Sequence, residues 1–595
     1  MIRTTILLCS IMLSVVGYAE DLQITPNDND DYGLIPSGYK AVTFLLQDGN
    51  WTNLIILPTQ AKANDKVTII QQAQQPTTIQ TQNVNIPIDK LKIKTGQQWT
   101  FLFNAPLKKW ELQSSKALSP KHQTVEYEFR FDLDPIQHIQ ISNRAWTGRI
   151  ILPETVADAT LLKISSSANQ ATTLDSTHLL FDSSYILKKG DQYWLRYYAE
   201  LKKWVVESIQ ARQLNVKDIG ERLTQVDAAV TQINFSDGNW VPKLSLPATA
   251  KDRDRVIVYS TAGWTAKIDN QQINSSATLS LKKGDRYEFV YIKDLGKWVM
   301  QVAPTLIVQA DEMSKNQQQQ LPNTEYPTTQ LEINPRNWQA QFKLPLSAQI
   351  NDKVIVKSTA DQDILISSAN GLKQSLRQGE TQRYIYSAKG WEIDSYTLDV
   401  LFVSSPEVVE QLGESAAKIR MLASQELTNL TAQNSNAQFY LRQAGHIIHQ
   451  VPGANLKEIL KAARSDEVVK LNRNQLKADM TYYEGVAKDY CGLAYENDHP
   501  TSENMIASGT IECGLQVMRH EIGHNLGVRH SDEVTVTHRG FHHILGSTAM
   551  GGNSLDYYSN PQLFSPKYNI RLGEFGKIDA VALINRNAAK ISKFR

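Results

Sequence analysis

Apolar and polar residues alternate in the same way four times along the first 394 residues. In the fourth copy Trp338, Ala340, Phe342 and Leu344 alternate with polar residues, which is typical of a strand buried on one face. The second copy repeats this alternation from Trp146 to Leu152. Another alternating stretch follows in each copy, and a short turn then leads to a closing tryptophan, the pattern of a β-hairpin. Each copy is therefore predicted to be a small all-β sandwich or barrel.

Four landmarks keep their register in every copy. They are an opening Trp, a Leu-Pro pair with the Pro seven residues later, a Gly and a closing Trp. The opening tryptophans stand 95, 94 and 98 residues apart. Such self-similarity indicates tandem repeats joined by polar linkers, which we expect to be solvated and partly helical. The landmarks of the four copies are Trp51, Pro58, Gly96 and Trp110; Trp146, Pro153, Gly190 and Trp204; Trp240, Pro247, Gly284 and Trp298; and Trp338, Pro345, Gly379 and Trp391.

The tryptophans allow two interpretations. All eleven precede residue 392, so they could serve as platforms for sugars, or they could fill the cores of the repeats. The landmark tryptophans share a strand face with neighbouring apolar residues, which favours core packing. Trp99, Trp194 and Trp264 do not decide between the two interpretations.

The pattern changes from about residue 395, where helical spacing replaces alternation. Segment 398–403 is predicted to be a buried strand, and 437–441 is a second strand candidate. Helices are predicted over 406–430, 455–463 and 577–591. Strands that alternate with helices over some 200 residues indicate one α/β domain. The apolar positions assigned to the first helix are Val408, Leu412, Ala416, Ile419 and Leu422.

These patterns divide the 595 residues into five domains after a leader, where length alone suggests roughly four. The predicted fold class is multidomain, with four tandem small all-β repeats followed by an α/β domain. The predicted boundaries are 1–19 for the leader, 41–113, 135–207, 229–301 and 328–394 for the repeats, and 395–595 for the C-terminal domain.

Composition excludes several classes of protein. The chain has 62 Lys and Arg residues and 61 Asp and Glu residues, so its net charge is +1. Nucleic-acid-binding proteins usually carry a clear excess of basic residues, which this chain does not have. The 41% apolar and 21% charged residues are ordinary for a globular protein. We therefore expect neither a nucleic-acid partner nor a basic face for anionic membranes.

The first 19 residues have the character of a secretory signal peptide. Arg3 precedes an uncharged stretch from Thr4 to Val16, and small residues at Gly17 and Ala19 suit cleavage after Ala19. A membrane anchor is the alternative, but thirteen residues are too few to span about 30 Å of hydrocarbon. Export is therefore expected, with no membrane span in the mature chain.

Two cysteines remain once Cys9 leaves with the leader. Cys491 and Cys513 lie 22 residues apart, and in an oxidising compartment we expect them to pair. The alternatives are two buried free thiols or one metal ligand.

Half of the twelve histidines fall between His520 and His543. At helical spacing His520 and His524 share one face, so both imidazoles can reach one Zn²⁺. Gly527 can adopt positive φ and turn the chain back to bring His530 as a third ligand. Three neutral histidines leave a position open for water, and Glu521 is placed to take a proton from it.

This segment resembles the extended zinc-binding motif of the metzincin metalloendopeptidases. The resemblance implies one catalytic Zn²⁺ and a Met-turn, which Met550 would supply as an apolar floor. No Tyr stands two residues after Met550, so the site is similar to the adamalysin/reprolysin type with three protein ligands. His538, His542 and His543 match no ligand of the family and are interpreted as residues around the rim of the site.

The resemblance also implies substrate-binding segments. In adamalysin-like domains the substrate lies extended along an edge strand, by β-augmentation, and a segment after the Met-turn walls the S1′ pocket. The corresponding positions here are Gly492, Leu493 and Ala494 on the strand, and Ser559, Asn560 and Pro561 on the wall.

The whole chain resembles the secreted coagulation-targeting metallo-endopeptidases of Gram-negative bacteria. That resemblance implies a virulence role, type II secretion, a membrane-anchored chaperone, and cleavage of O-glycosylated host proteins such as coagulation factors. Two other functions remain open from the residues. One is a glycan- or surface-binding adhesin that acts through the repeats, and the other is a periplasmic envelope protease.

Overall fold

The structure is a computed structural model that describes residues 19–29, 33–86, 90–113, 118–120, 124–129, 131, 136–314 and 319–595. The predicted signal peptide lies outside the described residues except for Ala19. The chain divides into two compact units, one with the described residues up to Ala211 and residues 227–230, the other with 212–226 and 231–595. Among the described residues, no helix has the length and apolar character needed to cross a bilayer.

The first unit holds repeats 1 and 2, each folded as two facing sheets. The strands of repeat 1 form a β1-β2-β4-β7-β8 sheet and a β3-β5-β6 sheet, and those of repeat 2 form β10-β12-β15-β16 and β14-β13-β11-β9. Their bounds, with a 3-10 helix at Asn27–Asn29, are β1 (Ala19–Ile24), β2 (Tyr39–Leu46), β3 (Leu54–Ile55), β4 (Lys66–Gln71), β5 (Thr77–Gln80), β6 (Lys90–Ile93), β7 (Gln98–Asn104), β8 (Lys109–Leu112), β9 (Thr124–Glu128), β10 (Ile136–Ile141), β11 (Thr147–Ile151), β12 (Leu161–Ser166), β13 (Thr172–Leu174), β14 (Ile186–Leu187), β15 (Gln192–Tyr198) and β16 (Lys203–Ile209).

Repeats 3 and 4 belong to the second unit and have the same design. Their sheets are β17-β18-β20-β23-β24 with β19-β21-β22, and β25-β26-β28-β31-β32 with β27-β29-β30. The bounds are β17 (Arg212–Asn215), α1 (Val216–Ile219), β18 (Val230–Phe235), β19 (Lys243–Ser245), β20 (Arg255–Ser260), β21 (Ala266–Asp269), β22 (Ser280–Leu281), β23 (Arg286–Ile292), β24 (Lys297–Val302), β25 (Thr305–Gln309), α2 (Ala310–Ser314), β26 (Thr328–Ile333), β27 (Gln341–Lys343), β28 (Lys353–Ser358), β29 (Ile364–Ser367), β30 (Lys373–Leu376), β31 (Thr381–Ser387) and β32 (Gly390–Ile393).

The repeated landmarks have identifiable structural roles. The four closing tryptophans lie in the cores, and each indole Nε1–H donates to the carbonyl oxygen of its own repeat's landmark proline at 2.8, 3.0, 2.8 and 2.9 Å. This bond satisfies a polar group that would be costly to bury alone. The landmark glycines take φ between 75° and 91°, which a left-handed turn requires. The opening tryptophans are half-buried against the cores, whereas Trp264 is 69% exposed.

The linkers contribute more structure than their polar sequence indicates. Alongside the short helices α1 and α2, each carries a strand that pairs in parallel with the first strand of the next repeat, β17 with β18 and β25 with β26. The sequence does not predict these strands because both are short: β17 has four residues, three of them polar, and β25 has five.

The C-terminal domain is an α/β domain, as predicted. Its sheet has the order β34-β33-β35-β37-β36, in which β36 alone is antiparallel to its neighbour. The bounds, with a 3-10 helix at Ser502–Asn504, are β33 (Tyr396–Ser404), α3 (Pro406–Leu412), α4 (Glu414–Asn434), β34 (Phe439–Ile448), α5 (Leu456–Ala463), α6 (Glu467–Gln475), β35 (Met480–Gly485), β36 (Gly492–Ala494), β37 (Ile506–Thr510), α7 (Val517–Asn525), β38 (Asn560–Phe564), β39 (Arg571–Leu572) and α8 (Ala580–Ile591). The predicted fold class, four β-sandwich domains followed by this domain, is confirmed.

The helix predicted over 406–430 differs from the observed one in two respects. Gly413, at φ 82°, divides it into α3 and α4. The face assigned as apolar is also wrong, because Ile419 is 65% exposed. The sheet is instead covered by Met421 and by small polar residues such as Thr428, whose hydroxyl donates to the Ser424 carbonyl at 2.8 Å.

Candidate active site

Helix α7 carries His520 and His524 one turn apart and Glu521 between them. The helix ends where Gly527 adopts φ 97°, and Val528 N then donates to the Gly523 carbonyl at 2.9 Å. A Cβ on Gly527 would lie 2.7 Å from the Asn497 carbonyl oxygen and 2.8 Å from Leu583. The sharp turn therefore requires glycine both for its φ and for the space, and it returns the chain so that His530 faces the helix.

The three histidines converge through the same ring atom. Nε2 of His530 lies 3.1 Å from Nε2 of His520 and 3.1 Å from Nε2 of His524. The opposite ring nitrogens face carbonyl oxygens, His520 Nδ1 that of Ala549 at 2.7 Å and His524 Nδ1 that of Val528 at 2.9 Å. If Nδ1 donates in each of these two rings, Nε2 presents a lone pair to the shared centre.

This donor set fits Zn²⁺. Tetrahedral bonds of about 2.1 Å to nitrogen would place the ligand atoms roughly 3.4 Å apart. Carbonyls that accept from the far ring nitrogens are the partners that usually fix ligand histidines. The pKa of His524 is lowered to about 3, mainly by burial and to a smaller extent by the nearby His520 and His530 rings. Burial also lowers the pKa of His520. Both rings are therefore neutral, as metal binding requires.

Glu521 lies on the same helix, directly after His520. It is 5% exposed, and burial, assisted by the nearby Glu496 carboxylate, raises its pKa to about 8. Strand β36 runs against it, since a Cβ on Gly492 would lie 2.6 Å from Glu521 Oε1. A carboxyl group with high proton affinity thus stands between the metal ligands and a strand edge, where it can hold and release a proton.

Met550 lies beneath the histidines, 1% exposed. A Cβ on Gly523 would lie 2.4 Å from Met550 Sδ and 3.2 Å from the Tyr558 ring, so glycine is needed for the turn to pack against α7. The preceding residue Ala549 supplies the carbonyl that faces His520 Nδ1. The turn at Met550 therefore packs against α7 and holds the orientation of the His520 ring.

The predicted substrate-binding positions lie on both sides of α7. Gly492, Leu493 and Ala494 form β36, the outermost strand of the described sheet. Ser559 is buried and donates to the Arg539 carbonyl at 2.6 Å, and the Asn560 amide donates to the Ser435 carbonyl at 3.0 Å. Pro561 follows within β38. Segment 559–561 is thus fixed by hydrogen bonds that point into the domain.

A disulfide between Cys491 and Cys513 anchors the start of the edge strand, as the cysteine count predicted. Cys513 lies four residues before α7, and its carbonyl accepts from Arg420 Nη2 at 2.6 Å. The covalent link therefore ties β36 to the segment that leads into the histidine helix.

The remaining histidines of the cluster lie around the site. His542 Nδ1 contacts the Gly551 carbonyl at 2.8 Å, next to the methionine turn, and His538 Nε2 lies 3.4 Å from Asp498. Burial, with Arg253 contributing, lowers the pKa of His543. The structure does not bring these three rings into the ligand cluster.

An acidic group that the sequence does not predict lies beside the three histidines. Glu496 Oε1 lies 3.4 Å from His524 Nδ1, and its other oxygen pairs with Arg529, which also contacts Asp498 at 3.1 Å. Arg529 directly precedes His530, so these pairs stabilise the turn that brings His530 to the other two histidines. Glu496 is 24 residues before His520, and no local spacing pattern marks it.

Comparisons with known proteins agree with this geometry. The family model for the β-sandwich domain of the metalloprotease StcE matches four times, at 39–114, 134–208, 228–302 and 326–395. The M12B reprolysin-like metallopeptidase model matches residues 418–531.

Two relatives extend the comparison. A peptidyl-Asp metalloendopeptidase of Pseudomonas aeruginosa is 23% identical, over 33% of this chain and 40% of its own length. A solved structure described as a chaperone–substrate complex is 44% identical, with a TM-score of 0.91 over 96% of this chain and 100% of that one. The chain therefore belongs to the metalloprotease family that joins StcE-type β-sandwich domains to an M12B reprolysin-like, zinc-dependent endopeptidase domain.

Proposed function

We propose that this protein is a secreted endopeptidase in which Glu521 is the general base and O-glycosylated host proteins, including coagulation factors, are the substrates. The observation that carries the proposal is the convergence of three histidine Nε2 atoms beside a buried glutamate and an open strand edge. His520, His524 and His530 would hold the zinc ion.

The chemistry divides between the ion and the chain. Bound zinc supplies Lewis acidity, which polarises the scissile carbonyl and acidifies water. Glu521 takes one proton from the attacking water and later delivers it to the leaving amine nitrogen. Its buried position, which raises its proton affinity, suits it to hold that proton between the two steps. His530 is exposed, so the cluster is open to a substrate from the solvent side.

Strand β36 is proposed to bind the substrate backbone. An extended peptide that pairs with this outermost strand passes beside Gly492 and therefore beside the Glu521 carboxylate. The wall segment 559–561 would then contact the side chain that follows the scissile bond. Leu493 and Ala494 are half-buried and retain surface for such pairing.

The route of export and the substrates are argued from resemblance. Secretion through the type II system, a membrane-anchored chaperone and a role in virulence follow from the likeness to secreted bacterial endopeptidases. The 44% identical relative, whose structure is described as a chaperone–substrate complex, supports the chaperone. We propose that this chain also assembles with a chaperone before release.

The experiment compares the purified full-length protein with E521A on an O-glycosylated plasma protein, before and after enzymatic deglycosylation. We expect the wild type to cleave the glycosylated form, and E521A to cleave neither form while it retains zinc. Equal cleavage of both forms would contradict glycan recognition, and an active E521A would contradict the role of the glutamate. Absence of cleavage by both proteins would favour the adhesin interpretation. That interpretation gains no direct support from the closing tryptophans, because all four lie within the repeat cores.

A further inference from the structure

Repeat 3 packs against the part of the C-terminal domain that continues from the proposed S1′ wall. Phe564, at the end of β38, is 4% exposed and lies among apolar side chains of the repeat. Gln301, on β24, accepts from the Phe564 backbone N at 3.0 Å and donates to the Gln562 carbonyl at 3.0 Å. The apolar contact joins Val290, Ile292, Leu295 and Val299 of the repeat to Phe564 and Phe575.

Charged groups surround this apolar contact. The Arg571 guanidinium is 10% exposed and pairs with two carboxylates of repeat 3, with Asp252 at 3.0 Å and Asp294 at 2.5 Å. Asn569 accepts from Arg253 Nη1 at 3.1 Å and donates to the Arg253 carbonyl at 3.0 Å. The Arg571 guanidinium also lies 5.7 Å from the Phe564 ring centroid, so the same residue contacts both the charges and the apolar centre.

The contact connects to the site through a short hairpin. Strand β39, which begins at Arg571, pairs antiparallel with β38, and its registered pairs are Asn560 with Leu572 and Phe564 with Arg571. The opposite end of the hairpin is therefore the wall segment itself. Tyr558, two residues earlier than Asn560, donates to the Arg519 carbonyl on α7 at 2.6 Å. A continuous set of contacts thus runs from repeat 3 to the histidine helix.

We propose that repeat 3 sets the position of the wall segment 559–561, with Arg571 as a positioning residue, and thereby determines how the enzyme binds the substrate residue after the scissile bond. This inference rests on the proposed function of that segment. Removal of the two partner carboxylates leaves the largely buried Arg571 without compensating charge, and the hairpin can then move away from the repeat. Displacement of a positioning segment weakens substrate binding without removing the metal or the base.

The test uses the full chain with D252N/D294N, which removes both partners from the repeat side. The matched control is D269N, since Asp269 pairs with Lys243 at 2.7 Å and its hydrogen bonds to Ser245 and Gln271 also lie within repeat 3. R571Q and R571K form a second pair, in which lysine retains the charge. Kinetics are measured on two peptides that differ only in the residue after the scissile bond.

We expect D252N/D294N to raise KM by about threefold or more for the peptide with the larger residue, with kcat within about twofold of the wild type. R571Q should behave in the same way, and R571K should recover part of the loss. D269N should keep wild-type constants. A purely structural contact would instead lower the active fraction, and hence kcat, equally for both peptides, and that result would overturn the inference.

Hydrogen exchange provides a readout that does not need activity. The amides of β38 should exchange faster in D252N/D294N than in D269N, because the hairpin loses its anchor. Unchanged exchange would overturn the positioning role even if no peptide were cleaved. Failure of the wild type to cleave any peptide would count against the proposed function alone, so the two failures are distinguishable.

Discussion

The sandwich repeats and the histidine helix both bury side chains that carry polar atoms, but the environments of those atoms differ. In the repeats, the closing tryptophans are fully buried and their one polar atom is satisfied within the same repeat, as in the bond from Trp204 to the Pro153 carbonyl. In α7, Glu521 and His524 are buried as well, but His524 Nε2 faces His530 Nε2 at the shared centre, and Glu521 lies against strand β36. Residues that recur in every repeat therefore stabilise the fold. Buried titratable residues that lie close to one another instead indicate the candidate active site.

Removal of a metal ligand should have the largest effect. In H530A only two of the converging Nε2 atoms remain, so we expect zinc loss and activity at background. Metal content by mass spectrometry and peptide hydrolysis measure this directly. H538A is the matched control, because that ring lies outside the cluster, and it should retain its zinc. Full zinc occupancy in H530A would contradict the assignment of His530.

Loss of space beside the methionine turn should have a smaller but clear effect. In G523A the new Cβ would meet Met550 Sδ at 2.4 Å, so either the turn or α7 must shift. We expect activity to fall about 10- to 100-fold, since an ångström-scale displacement costs this much in an active site. G263A, at a glycine outside the positive-φ region whose Cβ would meet only Asp237 Oδ1 at 3.5 Å, tests the general effect of the added methyl. Equal activity of the two variants would contradict the close packing.

Variants of Trp204 test whether the closing tryptophans stabilise the repeats. W204A should destabilise the first unit by about 3–5 kcal/mol, as expected for an aromatic removed from a core. W204F should cost less, because it loses mainly the hydrogen bond to Pro153. Peptide hydrolysis by the C-terminal domain should remain unchanged in both. W264A, which alters an exposed ring, should leave the unfolding midpoint in place, and an equal loss in W264A and W204A would contradict the assignment of roles.

The smallest effect is expected at the exposed face of α4. I419K replaces a side chain that is 65% exposed, so the free energy of unfolding should change by no more than about 0.5 kcal/mol. M421K, on the buried face of the same helix, should unfold the domain or destabilise it severely. Thermal unfolding measures the loss of stability in each variant. A larger loss in I419K than in M421K would support the apolar face that the sequence predicts.

The sequence predicts the repeats and the histidine cluster because both depend on short-range spacing. Alternation specifies the strands, and the four-residue step between His520 and His524 specifies one helix face. It predicts the wrong face of α4 because the hydroxyls of Thr428 and Thr431 donate to carbonyls one turn earlier on the helix, so both residues can be buried against the sheet. It does not predict Glu496 beside His524 or Arg571 against Asp252, because those contacts form between segments that only the fold brings together.

The most direct test of the account measures zinc content, thermal unfolding and peptide hydrolysis together for E521Q and the wild type. Glutamine keeps the size of the side chain and its fit against Gly492 but can no longer take a proton from water. We predict wild-type zinc content, an unchanged unfolding midpoint and a fall in kcat of about 10²- to 10⁴-fold. Hydrolysis at the wild-type rate with zinc bound would contradict Glu521 as the proton acceptor.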